Sequence, residues 1–130
     1  MFPCPKILVG LAVCIGLGSA ASAQDVIGSY VAVIGQDDLY NSNGARLSAP
    51  WQVLRQDRAN FHRFGLSQVG DEWDPFFGDA KNREAMERMI MNGYMDPLAA
   101  RDIMTGGAMI VVTIYGSGGV GDYVSVDVYK

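Results

Sequence analysis

The one histidine of the chain, His62, lies in a stretch that also carries Trp51, Arg55 and Arg58. If that stretch is helical, spacings of three and four residues put Arg55, Arg58 and His62 on one stripe, with Trp51 beside it. Two guanidiniums and an imidazole that gains charge near neutrality make a pocket for an anion. With a carboxylate in reach, the imidazole could instead serve as a general base. Trp51, Arg55, Arg58 and His62 are therefore the candidate ligand- or partner-binding residues. A structural alternative uses the same residues. Four arginines within residues 46–63 face one aspartate, and residues 71–79 hold four carboxylates and no base. The arginines then pair with Asp57 and with the acidic stretch, as structural ion networks do.

Other constellations are weaker. Asp71, Glu72, Asp74 and Asp79 supply oxygens for a hard cation such as calcium, but lack the spacing of a calcium loop. Asp37, Asp38, Asn41 and Asn43 come closer to that spacing, yet the first ligand position falls on Leu39 and the closing one on Pro50. Carboxylates beside Trp73 suggest a sugar-cleaving acid pair, for which so short a chain leaves little room for a cleft. Met86, Met89, Met91 and Met95 could bind copper(I), although methionine at these spacings is ordinary core filler. No G-x-S-x-G marks a serine nucleophile, and the glycine run Gly116–Gly121 lacks the lysine of a phosphate loop. No metal site and no cofactor is assigned.

The elements that must position these groups follow from periodicity. Ser29–Ile34, with a start as early as Val26, is β-branched and aromatic and reads as a strand. Asp37 to Gly44 is turn chemistry, with Asn43-Gly44 suited to a tight turn. A helix is expected with Ser48 as its cap, Pro50 in its first turn and Gly65 as its stop. It buries Trp51, Leu54 and Phe61. Asp79 should cap a second helix that runs to Asn92-Gly93 and buries Met86, Met89 and Ile90. Asp96-Pro97 opens a shorter helix ending at Gly106-Gly107. Met109–Tyr115 is apolar on nearly every residue and Tyr123–Tyr129 alternates. The two read as a hairpin, the first strand central and covered on both faces, with Ile110, Val112 and Ile114 buried, and the second nearer an edge. The expected fold is a small α+β domain of about three antiparallel strands with two to three helices inserted between them.

Length and composition set the frame. The chain has 130 residues, 49% of them apolar, which suits one domain with a real core. Lys6 precedes an apolar run from Ile7 to Leu17, and Ala21-Ser22-Ala23 is an A-x-A cleavage site. Residues 1–23 thus read as a cleavable signal peptide and residues 24–130 as the exported domain, periplasmic or secreted. The run is too short and glycine-interrupted for a spanning anchor, and Cys14 is poorly placed as a lipid acceptor. Both cysteines, Cys4 and Cys14, leave with the signal, so the mature chain can have neither a disulfide nor thiol chemistry. The net charge of −4 becomes one unit more negative when Lys6 is removed. An acidic domain without a basic cluster is a poor match for nucleic acid or a membrane surface. The leading expectation is a small non-catalytic binding or interaction module, its partner a protein or a small anionic ligand. A small hydrolase or lyase using His62 with a carboxylate, and a calcium or copper module, are the alternatives.

Overall fold

The computed structural model describes residues 24–129; the expected signal peptide lies outside them. Three long strands carry the fold: β1 (Asp25–Val33), β3 (Met109–Ser117) and β4 (Val120–Val128). A two-residue strand, β2 (Tyr94–Met95), completes a four-stranded sheet in the order β1-β3-β4-β2. β3 pairs antiparallel with both β1 (Val31 opposite Val111) and β4 (Val112 opposite Val126). β2 runs parallel to β4, so the sheet is mixed. Between β1 and β3 lie a 3₁₀ turn (Gln36–Leu39) and helices α1 (Pro50–Ala59), α2 (Ala80–Glu84), α3 (Met86–Met91) and α4 (Pro97–Thr105). The protein is thus the expected small α+β domain.

The hairpin turns on Gly118-Gly119, both at positive φ (59° and 81°), the geometry that matches the twist of the flanking strands. It is tighter than the six-residue connector read from the sequence, and both strands run further. Burial alternates along β3: Ile110, Val112 and Ile114 are buried, whereas Val111, Thr113 and Tyr115 are half-buried. The expectation of a strand covered equally on both faces is corrected here. On the outer face Val111 lies between Val31 and Asp127, and Tyr115 stacks on Tyr123 (4.7 Å), so neighbouring side chains shield one another. On the inner face the strands meet Val53 and Leu54 of α1, Met86 and Met89 of α3, and Ala99 and Ile103 of α4 in one core. Trp51 and Ile90, expected to be buried, are half-buried at its margin, and Phe61 is half-buried against Arg58.

The second helix is two. Asp79 caps it as expected, accepting from the Lys81 N–H at 2.9 Å. The chain then unwinds at Ala85 (ψ −2°) before α3. α3 ends at Met91 with Asn92 as its C-cap, and Gly93 follows because a Cβ there would collide with the Val124 carbonyl oxygen. That close approach lets Tyr94-Met95 join the edge of β4.

Candidate functional site

α1 starts one residue later than expected. Ala49 is the N-cap, and Gln52 reaches back so that its Oε1 accepts from the N–H groups of Ser48 (2.9 Å) and Ala49 (3.1 Å). Ser48 is therefore held by the helix and does not cap it. Pro50 occupies the first turn, where its missing N–H costs no bond. The helix passes into a wider π turn over Asn60–Phe64 and stops at Gly65. Two faces result. Val53, Leu54, Asp57 and Arg58 turn inward. Trp51, Arg55, Ala59 and Arg63, spaced by four, form the opposite wall.

The expected stripe of Arg55, Arg58 and His62 is therefore split. Arg58 has no exposed surface. Its Nε donates to Asp57 Oδ2 at 2.8 Å, and its Nη1 donates to Asp74 Oδ1 (3.0 Å) and to the Glu72 carbonyl (2.9 Å). The guanidinium is sandwiched between the rings of Tyr30 (4.0 Å) and Phe61 (4.7 Å). A charge this deep persists only when paired, and Arg58 sits in the core with no surface turned to either of the cavities described below. His62 Nε2 lies 2.7 Å from Asp74 Oδ1. Its side chain is 7% exposed and borders neither of the cavities described below.

The carboxylates of the acidic stretch are taken up by the fold. Asp74 Oδ2 accepts from the N–H groups of Phe76 and Phe77. Burial would raise its pKa, but the Phe77 N–H, His62, Arg58 and the Phe76 N–H together hold it below the usual value. Asp71 and Glu72 do not pair with arginines. They accept from the N–H groups of Val33 and Val31 (2.7 Å each) and close the free edge of β1. Asp57 behaves in the opposite way to Asp74. Burial pushes its pKa up to about 8, Arg58 opposes that shift, and the neighbouring charges of Asp38 and Asp71 reinforce it. Asp38, raised by burial as well, accepts from Asn60 Nδ2 (2.8 Å) and from the Gly35 N–H (2.9 Å). Among the described residues no group of three or more histidine, cysteine, aspartate or glutamate side chains is placed to hold a metal ion. The methionine stretch divides too, with Met86 and Met89 in the core and Met91 exposed.

Two cavities open beside α1. The first, about 380 Å³, lies between the Trp51–Arg63 wall and Arg83 and Glu84 of α2, with Asn41 and Ser42 at its rim. Arg55 and Arg63 are exposed, and neither forms an ion pair or a hydrogen bond among the described residues. Arg83, almost buried, donates to the carbonyls of Phe77 (2.8 Å) and Gly78 (3.0 Å) and has no carboxylate partner among them either. Three guanidiniums thus border the groove against one carboxylate, that of Glu84. The second cavity, about 450 Å³, is lined by Asp37, Tyr40, Asn60 and Leu66. It shares Asn41, Ser42, Gln56 and Phe64 with the first.

Of the four candidate residues, Trp51 and Arg55 come together in the first groove; Arg58 and His62 belong to the buried network behind it. Arg63, Arg83 and Gln56 were missed. The spacing of four through Trp51, Arg55, Ala59 and Arg63 could have revealed Arg63; nothing local could have brought Arg83 to the same groove. No family model, curated protein or solved structure matches the chain.

Proposed function

We propose that the domain is a small exported, non-catalytic binding module that takes an anionic ligand in the groove between α1 and α2. The observation that carries this reading is the pair Arg55 and Arg63: two exposed guanidiniums on one wall of a concave surface, without carboxylate partners among the described residues. Guanidinium presents a planar fork of donors that suits carboxylate or phosphate oxygens. Trp51 adds an apolar wall, and Arg83 lies fixed at the opposite side, so less freedom is lost on binding.

Tetraglutamate is the simplest probe. It should bind at low salt and weaken as salt rises, through screening of exposed charges. Replacing Arg55 and Arg63 together by Gln should cost about tenfold in affinity, the equivalent of roughly 1.4 kcal/mol. The melting temperature should stay unchanged, since exposed charges add little to stability. Equal binding by the parent and the double variant would defeat this reading. Export rests on the apolar run and the A-x-A site of residues 1–23. Intact-mass measurement of the exported protein should find a chain beginning at Gln24; a full-length chain retained in the membrane would contradict it.

A further inference from the structure

Resting on the reading of the groove as an anion site, we propose that its natural ligand is a short extended peptide, acidic at one end and apolar at the other. The two cavities adjoin as the halves of one trough: Asn41, Ser42, Gln56 and Phe64 border both, so a ligand long enough to pass these four side chains would reach from the arginine end into the second cavity. Each half has the volume of a small-molecule site, and a lone carboxylate or phosphate would fill little of the whole.

The chemistry changes along the trough. One end offers Arg55, Arg63 and Arg83. The other offers Tyr40 and Leu66, which are 42% and 49% exposed, with Asp37 beside them and Arg46 over the outer Tyr40 ring (5.5 Å); Phe64, at the junction, carries the Arg63 guanidinium over its ring (5.0 Å). Asp37 repels a second acidic group there and fixes the direction in which an acidic–apolar segment lies. Where the halves join stand two amide side chains with unused groups. Gln56 donates through Nε2 to Asn60, leaving its Oε1 without a partner among the described residues. Asn41 accepts through Oδ1 from the N–H groups of Asn43 and Ala45, leaving its Nδ2 without one. One free acceptor and one free donor match the N–H and C=O of a peptide unit. A small inorganic anion has no N–H to offer the first, and a purely apolar ligand has neither group.

The test compares two synthetic peptides on the intact domain: tetraglutamate, and a hexapeptide with two glutamates, two alanines, leucine and phenylalanine, made in both chain directions. At least one direction should bind about tenfold or more tightly than tetraglutamate, the expected effect of burying one large apolar side chain. Leu66→Ser, on an exposed position, should remove that gain and leave tetraglutamate binding unchanged, and Leu66→Met should retain most of it. If tetraglutamate binds but neither hexapeptide direction binds more tightly, or if Leu66→Ser leaves the gain intact, the peptide inference is overturned and the anion site stands. If neither peptide binds, both readings fall.

Discussion

Arg58 and Asp57 are adjacent in sequence and opposite in electrostatic behaviour, and each has a measurable consequence. Removing the guanidinium by Arg58→Gln leaves Asp74 buried with one strong donor fewer and takes the plate from between Tyr30 and Phe61. Breaking a buried pair costs about 3–5 kcal/mol, so urea denaturation of this variant should show a loss of that size or no folded state at all. Asp57→Asn should cost less than Arg58→Gln near neutral pH, because burial has already raised the Asp57 pKa toward the neutral form that the amide resembles. The sign follows from linkage. With the folded pKa at about 8 and an unfolded value near 4, the native state holds a proton that the unfolded chain releases. Stability from this group is full at acid pH and declines as pH rises from about 4 to about 8. Asp74, with its pKa lowered, works the other way: its contribution is present above the ordinary carboxylate pKa and is lost as pH falls below it. Denaturation midpoints between pH 5 and 8 should therefore fall less steeply for Asp57→Asn than for the parent.

At the scale of elements, the loop after Gly65 does the work of an extra strand. Its Asp71 and Glu72 side chains satisfy the outward N–H groups of Val33 and Val31, and the Glu72 N–H donates back to the Val31 carbonyl (2.9 Å). Unpaired edge strands recruit other chains. Asp71→Ala with Glu72→Ala should therefore promote self-association, seen as larger species in sedimentation velocity, while Asp71→Asn with Glu72→Gln keeps acceptors in place and should stay closer to the parent. Strands and helix starts were legible in the sequence because each is signalled locally: β-branched runs for β1 and β3, alternation for β4, Asp79 and Asp96-Pro97 for two helix starts. The break at Ala85 and the strand Tyr94–Met95 were not. Neither carries a breaker or a period, and β2 exists because Gly93 lets the backbone approach Val124. The candidate site was half legible for the same reason. A helical stripe can be read from spacing, but which stripe faces the core depended on Asp74, sixteen residues beyond Arg58.

For the whole molecule, the sheet, the buried ion network and the acidic loop form a fixed frame, and the trough beside α1 is where Arg55 and Arg63 stand with neither an ion pair nor a side-chain hydrogen bond among the described residues. Among the described residues no helix is long and apolar enough to cross a membrane. The core that carries the frame should be sensitive at Leu54, which is wholly buried in α1: Leu54→Ala should cost about 2–5 kcal/mol in chemical denaturation. The trough should not share that sensitivity, since Arg55 and Arg63 stand outside the core. The most direct measurement is calorimetric titration of tetraglutamate into the parent domain and into the Arg55→Gln/Arg63→Gln variant, at low and at high salt. Binding that is saturable in the parent, weakens with salt and falls about tenfold in a variant of unchanged melting temperature is the expected result. Absence of binding in the parent, or equal affinity in both proteins, would contradict the assignment of this groove as an anion site.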